Sequence, residues 1–168
     1  KTQLTFQQFS DDIRAIGSEL IRKGYQKEPV LIYMNKSPEA LEGFFGVIES
    51  GCFYVPLDEE MPKRRIELII ENTKARVIIC DQENLKRVKE LPFDGEIMLH
   101  EELAKKREDK EKLDKVGRTA LDTDPLYVLF TSGSTGMPKG VVGHHRGVID
   151  YIDQLSAVLD FDEESVFG

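Results

Sequence analysis

Apolar residues first recur with a helical period, and then in short blocks. Phe6, Phe9, Ile13, Ile16, Leu20 and Ile21 repeat at the spacing of one helical face. Thr5, with Gln8 three residues on, forms a capping-box start, and Gly24 closes the segment. Val30 to Met34 has the length and composition of a buried strand. Ser37-Pro38-Glu39 then offers a cap, a first-turn proline and a first-turn acid. Leu41, Phe44, Phe45 and Ile48 form that helix's buried face, and Gly51 ends it. Tyr54-Val55-Pro56 reads as a short strand entering a turn at Leu57-Asp58, and a helix is expected from Pro62 to Asn72.

Arg76 to Cys80 is another buried strand, Glu96 to Leu99 a weaker one, and Leu126 to Phe130 a strong one. Gly140-Val141-Val142 resumes extended structure, and a helix starting at His144 or His145 runs to about Leu159. Strands alternating with helices predict an α/β fold whose sheet is parallel-rich and flanked by helices. His100 to Arg118 is dominated by charges of alternating sign, which reads as a solvated helix or surface connection. His100 itself is expected to be solvated.

Composition narrows the picture. The 168 residues hold 23 Lys and Arg against 31 Asp and Glu, a net charge of -8. A nucleic-acid partner is therefore not expected, because phosphate backbones are held by clustered basic residues. No apolar run approaches the roughly 18 residues needed to span a bilayer, so no membrane partner is expected either. The two cysteines, Cys52 and Cys80, read as buried thiols of a cytoplasmic protein. The tail Ser165-Val166-Phe167-Gly168 looks like a strand just beginning, so the chain is expected to be an excised piece of something larger.

Chemistry concentrates between Thr131 and Gly140. Gly133, Gly136 and Gly140 let a ligand approach the main chain, whose N–H groups can form an anion-binding concavity. Thr131, Ser132, Ser134 and Thr135 add hydroxyl donors, and Lys139 adds a mobile positive charge. Residues 125–149 contain no Asp or Glu, although Lys139, His144, His145 and Arg146 lie among them. Such a composition suits a polyphosphate, which like charges would repel. The loop is not a Walker A sequence, since Pro138 and Gly140 flank the lysine and no helix follows at once. His144 and His145 read as helix-start residues, because adjacent histidines diverge on a helix and no further ligand stands at metal spacing. Tyr25, Tyr33 and Tyr54 read as packing residues, Asp58 as a turn residue, and Glu59-Glu60 as surface.

Tyr127-Val128-Leu129-Phe130 with the ordered run Thr131 to Gly140 closely resembles the signature motif of adenylate-forming enzymes. That superfamily includes nonribosomal peptide synthetase adenylation domains, D-alanine–carrier-protein ligases, acyl-CoA synthetases and luciferases. Leu4 to Phe9 looks like the family's early helix-start motif. Gly51 to Asp58, followed by Pro62, Arg65 and Ile66, is similar to a block of the amino-acid-activating branch. Cys52 and Phe53 stand where that branch usually carries small residues, and Glu59 where it carries proline. His145-Arg146-Gly147 also matches, whereas Gly143-His144 replaces a more usual apolar-acidic pair.

The resemblance implies that residues 1–168 are the first part of a large N-terminal adenylation domain. It implies attack of a carboxylate, here an amino acid, on the α-phosphate of ATP, with pyrophosphate leaving. The acyl group would then pass to a phosphopantetheine thiol on a carrier-protein domain. Thr131, Ser132, Gly133, Ser134, Thr135, Gly136 and Lys139 would hold the β- and γ-phosphates, with Mg2+ sharing their charge. No catalytic residue and no protein-built metal site is expected in this stretch, and by itself it is expected to be inactive. Other readings are a noncatalytic nucleotide-binding module, another ligase of the same superfamily, and an unrelated phosphoryl-transfer enzyme.

Overall fold

The computed structural model describes residues 4–131, 137–159 and 165. Within them six strands form one sheet: β1 (Pro29–Tyr33), β2 (Phe53–Leu57), β3 (Val77–Cys80), β4 (Glu96–Leu99), β5 (Pro125–Thr131) and β6 (Lys139–His144). Their order is β4-β3-β1-β2-β5-β6; the first five are parallel and β6 is antiparallel to β5. Among the described residues seven helices accompany them: α1 (Phe6–Arg22), α2 (Pro38–Glu49), α3 (Lys63–Thr73), α4 (Leu85–Lys89), α5 (His100–Leu103), α6 (Lys110–Thr119) and α7 (His145–Leu159). The expected parallel-rich α/β architecture is therefore the observed one. The short α4 is the helix that the apolar pattern does not announce.

Strand alternation divides the core between two sheet faces. Val30, Ile32, Val77 and Ile79 pack with Ile16 and Leu20 of α1 and Ala40 and Val47 of α2. Leu31, Val55, Ile78 and Cys80 pack with Ile66, Ile69 and Ile70 of α3 and Val88 of α4. Both cysteines are buried and free. The Thr5–Gln8 capping box forms as its spacing predicts, and Ser37 caps α2 through the Ala40 N–H. Tyr25 and Tyr33 are buried, and Tyr54 stacks on Phe44 with ring centroids 4.5 Å apart.

Where α1 crosses α2, glycine is required by space. A Cβ on Gly46 would lie 2.6 Å from Ile16 Cβ, and one on Gly17 would lie 2.8 Å from Glu49 Cβ. Gly46→Ala is expected to destabilise the fold by about 1–3 kcal/mol, because overpacking a well-filled contact forces backbone shifts. Chemical denaturation of the variant checks this; a midpoint equal to wild type would show that the helices part freely.

His100 departs from expectation. It starts α5 and is only 4% exposed, facing Glu42 of α2, which is 2% exposed. The α5 turn presents its first side chain inward, while the neighbouring Glu101 and Glu102 remain exposed. Beyond it, Leu113 is buried, so α6 is a surface helix with one docked position.

Candidate phosphate-holding site

The parallel strands set the site's place. β5 runs with β1 to β4, so its final residue, Thr131, lies at the carboxyl edge of the sheet. Ligands of open α/β sheets bind at that edge. β6 returns antiparallel, with Thr131 opposite Lys139 and Phe130 opposite Gly140. β5 and β6 thus form a β-hairpin, and Thr131 and Lys139, which flank the expected loop, are neighbours across its ladder. Thr131 Oγ1 donates to the Lys139 carbonyl at 3.4 Å, a weak contact that leaves the hydroxyl free to exchange partners. Thr131 and Lys139 are both exposed. Ser132, Gly133, Ser134, Thr135 and Gly136 lie outside the described residues.

Close packing explains the glycines of β6. A Cβ on Gly140 would lie 2.9 Å from Val128 Cγ1, and one on Gly143 would run into the Tyr127 ring. These glycines let β6 lie against β5, so Gly140 serves the packing of the hairpin.

The basic residues of the acid-free stretch do not converge. His144 pairs with Pro125, at the far end of the hairpin from Lys139. Five residue steps separate them, roughly 17 Å at the usual rise. Arg146 turns away to Asp122, with its Nε and Nη2 at 2.8 and 2.6 Å from Oδ2. His145 begins α7, as expected. Of these four cations and histidines, only Lys139 stands at the loop.

Carboxylates absent from the local sequence return through the fold. The turn after β2 brings Asp58, Glu59 and Glu60 to the carboxyl edge, where they line a cavity of about 700 Å³ with Leu129 and Phe130. Met34, Phe44 and Met61 give that cavity an apolar floor. Asp58 turns the chain as expected, accepting from the Glu60 N–H at 2.9 Å. Lys36 stands 3.7 Å from Asp58 and Arg87 3.4 Å from Glu59, which balances part of the negative charge. Nothing in the sequence near the loop announces these acids, because they arrive from a different crossover.

Arg65 reaches the root of the loop from α3. Its Nη2 donates to the Phe130 carbonyl at 2.8 Å, one peptide before Thr131. Among the described residues no three His, Cys, Asp or Glu side chains converge as a metal cage.

The sequence and the fold both have relatives among known proteins. The profile of the AMP-binding enzyme family matches residues 1–167. Gramicidin S synthase 2 of Brevibacillus brevis is 33% identical over 164 residues, which is 97% of this chain and 4% of that protein. The N-(5-amino-5-carboxypentanoyl)-L-cysteinyl-D-valine synthase of Penicillium chrysogenum is 30% identical over 174 residues, 100% of this chain and 5% of that protein. The chain thus spans a small fraction of the length of the curated relatives it matches. Among solved structures, the McyG A-PCP complexed with phenylalanyl-adenylate superposes with a TM-score of 0.81 at 20% identity, covering 98% of this chain and 27% of that one. The fatty acid AMP ligase of Legionella pneumophila gives 0.80 at 21% identity, covering 98% and 29%.

Proposed function

This chain belongs to the AMP-binding enzyme family, and from that premise we propose that it forms the first part of an ATP-dependent ligase that activates a carboxylic acid as its adenylate. The observation that carries the reading is the β5–β6 hairpin, which sets Thr131 and Lys139 side by side at the carboxyl edge. The synthase relative whose product joins cysteinyl and valine units favours an amino acid as the substrate.

In the proposed reaction a carboxylate oxygen attacks the α-phosphorus of ATP. The bond from that phosphorus to the bridging oxygen breaks, and the electron pair leaves with pyrophosphate. The products are an acyl adenylate and pyrophosphate. The chain's own part is electrostatic: Lys139 and the hydroxyls from Thr131 to Thr135 meet negative charge that grows on the leaving group. Magnesium would accompany the nucleotide as a partner of its phosphate oxygens. Transfer of the acyl group to a phosphopantetheine thiol of a carrier protein completes the proposed cycle, in the cytoplasm where ATP is abundant. The residues here hold only the pyrophosphate side, so the 168-residue stretch by itself is proposed to be inactive.

Acid-dependent ATP–pyrophosphate exchange by the full-length protein tests the reading, with amino acids, aryl acids and fatty acids as separate arms. Exchange with amino acids is the expected result. A folded protein that binds ATP yet exchanges with no acid would instead be a noncatalytic nucleotide-binding module.

A further inference from the structure

We propose that Arg65 is a positioning residue for the phosphate-holding loop, replacing a sheet hydrogen bond that the neighbouring strand cannot make. The inference rests on the ATP-binding reading only for its functional consequence, and its structural part stands on the ladder itself.

Consider how β5 is held between its neighbours. β2 pairs with β1 over five positions, from Pro29↔Phe53 to Tyr33↔Leu57. Its pairing with β5 consists of Tyr54↔Tyr127 alone. The Phe53 N–H points to β1, where it meets the Glu28 carbonyl at 3.2 Å. Backbone direction alternates along a strand, so Tyr54 and the residue two further on, Pro56, face β5. Proline has no N–H to donate. Pro56 therefore offers no N–H to the Val128 carbonyl, and the next donor in register, at Asp58, lies beyond the end of β2 at Leu57, so the Phe130 carbonyl is left for another partner.

Arg65 is that partner. The neighbouring Ile66 and Ile69 are 2% and 0% exposed, which fixes α3 against the sheet. From that fixed base the half-buried guanidinium reaches the Phe130 carbonyl at 2.8 Å. The preceding residue behaves differently: Arg64 lies at the surface and pairs with Glu67 at 3.3 Å. Among the described residues no carboxylate forms an ion pair with Arg65, and its described hydrogen bond goes to the strand. On the opposite side of β5, Phe130 pairs with Gly140 of β6. Arg65 thus tethers the hairpin's entering strand to a rigid helix one residue before Thr131.

Two measurements on the full-length protein test this, with Arg65→Ala, Arg65→Lys and the control Arg64→Ala. Backbone hydrogen exchange should accelerate in Arg65→Ala over residues 128–141 and stay at wild-type rates in β1 and β3, while Arg64→Ala leaves every segment unchanged. In ATP–pyrophosphate exchange the KM for ATP should rise about tenfold in Arg65→Ala, with Arg65→Lys between it and wild type and the KM for the acid unchanged, as expected of a displaced phosphate holder. Protection unchanged at 128–141, or lost evenly throughout the sheet, would overturn the tether. A tether present by hydrogen exchange with an unchanged KM for ATP would overturn the link to the loop. Absence of exchange activity in the wild type would count against the ligase reading alone, and hydrogen exchange would still decide the role of Arg65.

Discussion

Replacing Lys139 by alanine in the full-length protein is expected to lower kcat/KM for ATP in pyrophosphate exchange by about a hundredfold. This is the scale on which a single donor to developing negative charge acts, and it corresponds to about 2.7 kcal/mol. Lys139 opens β6 directly opposite Thr131, so its backbone is fixed by the hairpin while its side chain is exposed. Among the described residues no carboxylate forms an ion pair with it, and Arg146, the other strong cation of the stretch, is bound to Asp122 at the far end. No other described cation of the stretch can take its place at the loop. Asp58, Glu59 and Glu60 at the same edge increase the need for it, since they oppose a polyphosphate. Lys139→Arg keeps the charge in a differently shaped head group and is expected to retain part of the rate. Stability should stay within about 0.5 kcal/mol of wild type, because the side chain is exposed and forms no core contact. An unchanged kcat/KM for ATP in Lys139→Ala would remove the lysine from the phosphate site.

The difference between what the chain announces and what it conceals follows the range of the interaction. Helix caps at Thr5 and Ser37 are local, and their spacing is visible in the sequence. The buried strands at 30–34 and 76–80 are equally local, because two-sided burial writes an unbroken apolar run. The hairpin at 125–144 is legible as two strands around a glycine-rich tip. Its antiparallel return is not, since strand direction depends on the sheet. The acid-free window from 125 to 149 is a correct picture of the chain and an incomplete one of the site. Three acids enter from the turn after β2, and Arg146 leaves toward Asp122. Arg65 carries meaning only once β2 is known to end short of the Phe130 carbonyl, which requires the register. His100 is hidden by its neighbours: a charged window averages to a surface, and the residue that buries it, Glu42, lies far away in sequence.

That buried pair carries the second large expectation: wild type should lose stability relative to Glu42→Gln as pH rises from 4.5 to 7. Glu42 Oε2 lies 2.9 Å from His100 Nε2, with both side chains nearly inaccessible. His100 Nε2 nevertheless makes no hydrogen bond of good geometry, so the contact is not a formed imidazolium–carboxylate bond. Burial is the largest influence on both groups, and it disfavours charge on each. It raises the Glu42 carboxyl from 4.5 to about 7, with the charges of Asp12 and Glu39 acting in the same direction. It lowers the His100 imidazole below 6.5, against the opposing pull of Glu101, Asp12, Glu39 and Asp81. The neutral pair is the favoured state. Between 4.5 and about 7 the folded chain keeps a Glu42 proton that the unfolded chain has released. Folded protein then binds more protons, and stability must fall with rising pH. Glu42's contribution is complete below 4.5 and gone above about 7. His100 has the opposite sign, with its contribution complete above 6.5 and declining as pH falls. The two slopes therefore cancel over part of the acidic range, and wild type alone would conceal them. Comparison with Glu42→Gln isolates the carboxyl, because the amide retains size and hydrogen bonding but does not titrate. The stability difference between the two proteins should change by up to about 3 kcal/mol between pH 4.5 and 8. Urea denaturation at both pH values reads it directly, and parallel stability profiles for the two proteins would show that Glu42 is ionised in the fold at neutral pH.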